Sequence, residues 1–101
     1  MNGNFQQLIA SDKPVLVDFF AEWCGPCKMM DPYLKAVKDK MGEDLTIVKI
    51  DIDKNPALAS QLKIQSVPTM VLYQRGQQLW RQSGVLSAQQ IEQVVRQNTR
   101  N

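Results

Sequence analysis

The run Trp23-Cys24-Gly25-Pro26-Cys27-Lys28 constrains this chain more than any other stretch of it. It holds both cysteines, two residues apart, where the apolar segment Val15 to Phe20 gives way to helical periodicity. Pro26 suits the first turn of a helix, because its missing N–H would have no intrahelical partner there and its φ is already helical. Cys24 then falls at or just before the helix N-terminus, where unpaired N–H groups and the macrodipole favour a thiolate over a thiol. The pattern predicts Cys24 as the attacking sulfur. Cys27, one turn on, is expected to lie deeper, yet close enough for the two to close a small disulfide ring.

Composition matters here for what it removes. A chain of 101 residues with 44% hydrophobic and 22% charged residues is expected to fold as one globular domain, residues 1 to 101, with a core that needs no cross-links. Two cysteines in one tight pair, in such a chain, argue against a structural disulfide framework. There is no histidine, which excludes Cys/His metal sites, Cys-His nucleophilic pairs and histidine bases. A zinc site would need four ligands, and beyond the two thiols no Cys or His exists to complete one. The net charge of +2, with its basic residues scattered, gives no footprint for nucleic acid or an anionic membrane surface. No apolar run approaches the ~18 residues of a membrane span. The first residues, Met1-Asn2-Gly3-Asn4-Phe5, carry neither a basic start nor an apolar stretch of the kind that opens a signal peptide, so the expected location is cytoplasmic. A mature secreted protein with its leader removed would read the same way.

Taken in order, Asn4 to Ala10 has Phe5, Leu8 and Ile9 at helical spacing. Pro14 to Phe20 is nearly all apolar and β-favouring, as a central strand covered on both faces should be. Cys24 to Met41 predicts a helix with Met29, Met30, Leu34 and Val37 inward, Lys35, Lys38 and Lys40 outward, and a kink at Pro32. Leu45 to Asp51 reads as a strand, and Pro56 to Leu62 as a short helix capped by Asn55. Met70 to Tyr73 and Gln78 to Gln82 form a hairpin through Gln74-Arg75-Gly76-Gln77. Ser87 caps a final helix with Ile91, Val94 and Val95 facing the core, and residues 98 to 101 are expected to fray. The first two strands, joined by a helical crossover, must be parallel and the last two antiparallel. The predicted class is α/β, a mixed four-stranded sheet between two helical layers.

These residues resemble the thioredoxin family. The resemblance is carried by Val17-Asp18-Phe19-Phe20-Ala21-Glu22-Trp23-Cys24-Gly25-Pro26-Cys27-Lys28-Met29, then by Pro32, Lys49-Ile50-Asp51, Asn55-Pro56, Ile64-Gln65-Ser66-Val67-Pro68-Thr69, Gly76 and Gly84, across residues 5 to 97. It implies the thioredoxin fold. Two departures stand out. The family usually has a further strand ahead of the first helix; without one, Leu45 to Asp51 becomes a sheet edge, shielded by N-terminal residues or paired with another molecule. Phe20 occupies a position where the family often has tryptophan.

Asp18 is a carboxylate inside an apolar strand, so burial should raise its pKa and suit it to proton exchange near neutrality. The resemblance implies that it lies beneath Cys27 and takes that thiol's proton. Lys49 interrupts the neighbouring strand in the same manner, and the resemblance places it near Asp18. The resemblance implies that Val67-Pro68 is a cis peptide whose loop packs on the disulfide and offers backbone to a substrate strand. Trp23, Gly25, Pro26, Val67, Pro68 and Gly84, with Val85, are expected to rim an apolar client-binding patch around Cys24.

The expected activity is reduction of protein disulfides through a Cys24-Cys27 dithiol cycle. The partners implied are disulfide-containing client proteins and a flavoprotein thioredoxin reductase, with the protein itself a monomer and no bound cofactor required. The Gly25-Pro26 spacer resembles that of reductants, since residues between the sulfurs tune redox poise. A secreted reductase or oxidant of the same fold, and a binding module whose dithiol is incidental, are the competing readings.

Overall fold

A computed structural model describes residues 3–99. Its elements, in chain order, are α1 (Gly3–Ile9), β1 (Val15–Phe20), α2 (Gly25–Met41), a single 3-10 turn (Gly42–Asp44), β2 (Thr46–Asp51), α3 (Pro56–Gln61), β3 (Thr69–Gln74), β4 (Gln77–Ser83) and α4 (Ala88–Asn98). The sheet order is β2-β1-β3-β4, with β1 parallel to β2 and antiparallel to β3, and β3 antiparallel to β4. This is the mixed α/β sheet the residue pattern predicts.

β1 is the spine because it is apolar on both faces. Leu16 packs with Met30, Leu34, Met70, Leu72, Ile91 and Val95 beneath α2 and α4. Val15, Val17 and Phe19 point the other way, to Phe5, Ile9, Leu58, Val71 and Tyr73 under α1 and α3. Asp18 alternates with Val17 and Phe19, so it shares the α2 face with Leu16. β1 runs toward the loop that opens α2, which sets Asp18 under the first turns of that helix. Its register partner on β2 is Lys49.

Several details differ from expectation. Met29 is 58% exposed rather than inward, because the inward stripe of α2 is Cys27, Met30, Leu34, Val37 and Met41, a spacing that skips position 29. Asn55 precedes α3, but its side chain makes no cap; its amide donates to the Asp51 carbonyl (3.0 Å) and closes the turn after β2 instead. Val94 is only half-buried, Ile91 and Val95 filling the core side of α4. Asn98 and Thr99 are tied back to the Val94 and Val95 carbonyls (2.8 and 2.7 Å), so the expected fraying does not reach them; residues 100 and 101 lie outside the described residues.

β2 is an edge strand, as expected. Asn4, Phe5 and Leu8 of α1 share a hollow with Lys49, Ile50 and Asp51. The N-terminal helix thus adjoins β2, and among the described residues no strand pairs with its outer side.

Candidate active site at the start of α2

Cys24 is the N-cap residue of α2, with φ −93° and ψ 109°, and Pro26 stands in the helix's first turn. In the place where an oxygen usually caps, Cys24 offers sulfur: the backbone N–H of Cys27 donates to Cys24 Sγ at 3.1 Å. No acidic residue occupies the first turn, so nothing there neutralises the helix end. Cys24 and Cys27 are joined in a disulfide, their Cα atoms 5.3 Å apart. The expected difference in depth is not found: Cys24 is 4% exposed and Cys27 3%. Both residues are buried, and what separates them is their surroundings.

Cys24 faces the Val67-Pro68 loop. Its Sγ lies 3.6 Å from the carbonyl oxygen of Val67, and the Val67-Pro68 peptide is cis, as expected. That loop is fixed from two sides. Thr69 Oγ1 donates to the Ser66 carbonyl (2.7 Å) and sits 2.7 Å from Ser83 Oγ, and the Gly84 N–H donates to the Pro68 carbonyl (2.9 Å). Gly84 has φ +98°, a conformation that a side chain would strain, so glycine there keeps the second loop against the first. Around this point Trp23 is 71% exposed, Val85 is exposed and Val67 half-buried, while Pro68 is buried. Gly25 and Pro26 form the exposed outside of the turn. Sequence reasoning missed what orients Trp23: its indole N–H donates to Asp53 Oδ2 at 2.8 Å. Asp53 is held in turn, its N–H donating to Asp51 Oδ1 (2.8 Å).

Cys27 faces the other way. It lines a cavity of about 270 Å³ together with Phe20, Ala21, Glu22, Lys28, Asp31 and Lys49. Asp18 has no exposed surface, and neither carboxylate oxygen has a hydrogen-bond partner among the described residues. Burial raises its pKa from 3.8 to about 6; the Lys49 charge opposes the rise and the Asp31 charge adds to it. Lys49 does come near, yet its ion pair is with Asp31 Oδ1 at 2.7 Å, and its ammonium sits 4.5 Å from the centre of the Phe20 ring. Sequence reasoning does not single out Asp31. The signal is present, because Asp31 is four residues after Cys27 and so on the same side of α2. No group of three His, Cys, Asp or Glu among the described residues could hold a metal ion.

A cysteine pair closed across the first turn of a helix, on a mixed sheet of this order, defines a thiol-disulfide oxidoreductase. Comparisons with known proteins agree. The thioredoxin family's sequence profile matches residues 1–97. The chain is 52% identical over 93 residues to a thioredoxin-like protein of Synechocystis, covering 91% of this chain and 89% of that one. It is 48% identical over 73 residues to the bifunctional thioredoxin reductase/thioredoxin of Mycobacterium leprae, covering 72% of this chain and 16% of that much longer protein. Among solved structures it is similar to a single-site mutant of a thioredoxin from Halobacterium salinarum, with a TM-score of 0.88, 31% identity, and coverage of 100% of this chain and 88% of that one. The chain belongs to the thioredoxin family.

Proposed function

We propose that this oxidoreductase works as a reductant of protein disulfides, with Cys24 as nucleophile and Cys27 as resolving thiol. The Cys24 thiolate attacks one sulfur of a client disulfide; the other client sulfur leaves as a thiolate and takes a proton from water. Cys27 then gives its proton to the Asp18 carboxylate, directly or through water, and attacks Cys24 Sγ. The Cys24–Cys27 bond forms, the second client thiolate departs, and two electrons have passed to the client. A flavoprotein reductase returns two electrons to the pair, a partnership supported by the relative that carries reductase and thioredoxin in one chain. Such a cycle belongs in a reducing compartment such as the cytoplasm.

The observation that carries this reading is the position of Cys24 Sγ, at the cap of α2 with the Cys27 N–H donating to it. A thiolate there gains from the helix end and from that N–H, whereas Cys27 inside the first turn does not. The backbone near Val67, with Trp23, Gly25, Pro26, Pro68 and Gly84 around it, would receive an extended client segment. Lys49 would act on the proton transfer only through its charge.

Trapping tests the reading. Cys27→Ser should accumulate mixed disulfides with clients, and Cys24→Ser should be inert in an insulin-type reduction assay. A binding module with an incidental dithiol would keep its function in both variants. A redox titration separates reductant from oxidant: a potential near about −270 mV supports reduction, and one near about −120 mV opposes it.

A further inference from the structure

Asp18 and Lys49 are direct register partners on adjacent parallel strands and lie on the same face of the sheet. A buried carboxylate beside a lysine would ordinarily draw the ammonium to itself, since an unpaired buried charge is costly. Here it does not. The Lys49 head is taken by Asp31 at 2.7 Å and lies over Phe20, while both Asp18 oxygens remain without a hydrogen-bond partner among the described residues. Asp31 and Cys27, one helical turn apart, line the same cavity as Lys49.

We infer that Asp31 is a positioning residue: by holding the Lys49 ammonium at the solvent side of this cavity, it leaves the Asp18 carboxyl without an ionic partner and so able to take a proton. The other charges facing Asp18 do not serve instead. On β2, Asp51 shares the face but spends its carboxylate on the N–H groups of Asp53 and Lys54 (2.8 and 3.3 Å). Glu22 and Lys28 reach the cavity from exposed positions at its rim. β3 presents Met70 and Leu72 on this face, and α4 presents Ile91 and Val95; none of these titrates. Asp31 and Lys49 are both about half-exposed, so their pairing contributes little to stability and its loss should leave the fold intact. Its effect is on where the lysine's charge sits. Removing Asp31 frees the ammonium to turn back toward Asp18, which holds the carboxyl ionised to lower pH.

The consequence for turnover rests on the proposed use of Asp18 by Cys27, and the test keeps the two apart. The Asp18 side-chain carbon is followed by NMR across pH 4 to 9 in the reduced protein, in Asp31→Asn, in Lys49→Met and in the double variant. Asp31→Asn should lower the Asp18 midpoint by roughly one pH unit, and Lys49→Met should raise it. In the Lys49→Met background, Asp31→Asn should produce less than half of its single-variant shift, because there is no ammonium left to release. An unchanged midpoint in Asp31→Asn overturns the inference. So does an equal shift in both backgrounds, which would mean that Asp31 acts by its own charge and not by placing Lys49. In parallel, the rate at which a preformed mixed disulfide resolves is measured against pH. A resolution profile that follows the midpoint supports both statements. A midpoint that moves while the resolution profile stays fixed leaves Asp31's hold on Lys49 standing and removes Asp18 from the resolving step.

Discussion

Two helices in this protein begin in the same way electrostatically and are finished differently. α4 starts with a reciprocal cap: the Gln90 N–H donates to Ser87 Oγ (3.2 Å), and the Ser87 N–H donates to Gln90 Oε1 (2.9 Å). Two orphan donors are satisfied by groups whose charge never changes, which is what a purely structural helix end requires. α2 starts with Cys24 Sγ facing the Cys27 N–H. Sulfur in a disulfide is a weak acceptor, and a thiolate in the same place is a full charge. The end of α2 is therefore finished well only in the reduced, ionised state. The comparison teaches that a helix start becomes a redox site when the capping atom can change charge and the first turn carries no acid to cancel the field.

Giving α2 the cap of α4 has the largest expected effect. Cys24→Ser should lower disulfide reduction to background while keeping the fold, with stability within about 1 kcal/mol of the reduced parent, because a serine oxygen can accept the Cys27 N–H. Activity assays and denaturant unfolding check both halves.

Next in size is Asp18, a group that only the α2 end possesses. Its pKa rises from 3.8 to about 6 on folding. Between those values the unfolded chain has released a proton that the folded chain retains, so stability is full below about pH 3.8, falls as pH rises, and levels off above about 6. The loss amounts to about 3 kcal/mol. Asp18→Asn should remove that slope and stabilise the protein at pH 7 by up to about that amount, while slowing resolution of the mixed disulfide more than the first attack. Equal loss in both steps would contradict its proposed role.

Ser87→Ala comes third. It should cost about 1 kcal/mol in denaturant unfolding and leave the thiol titrations unchanged, since the cap of α4 takes no part in the chemistry. If that variant moves the Cys24 titration, the two helix ends are coupled and the comparison fails. Smallest is Asp53→Ala, which removes the partner of the Trp23 indole. At this exposed position the stability change should stay below about 1 kcal/mol, and the effect should show as a changed Trp23 fluorescence and a raised KM for clients.

The parts of the site that are legible in the sequence are those written in local chemistry. Pro26 beside two cysteines announces a helix start, an unbroken apolar run announces β1, and a lone Asp18 within that run announces a buried acid. The family resemblance adds the cis Val67-Pro68 bond and the closeness of Gly84, neither of which any local pattern states. What escapes the reading depends on where long side chains end up. Lys49 is expected near Asp18, and its strand position agrees, but a flexible four-carbon stem lets its head choose Asp31 instead. Trp23 finds Asp53 thirty positions along the chain, a pairing set by how the turn after β2 folds back. Asn55 suits a cap by its residue type, and its amide is drawn to the Asp51 carbonyl. General periodicity turns Met29 inward, whereas the actual phase of α2 is fixed by Cys27 and Met30 against the sheet. The near-equal burial of the two cysteines comes from their shared packing with Ala21, Phe20, Ile52 and Val67, which residue spacing does not convey.

One sulfur gains its reactivity from a helix end. Rates of iodoacetamide alkylation at Cys24 and Cys27 in the reduced protein, followed against pH by mass spectrometry, test it most directly. Cys24 should ionise below the ordinary cysteine value of about 8.5, with Cys27 ionising at higher pH. Both sulfurs ionising together at about 8.5, as in an unfolded peptide, would contradict it.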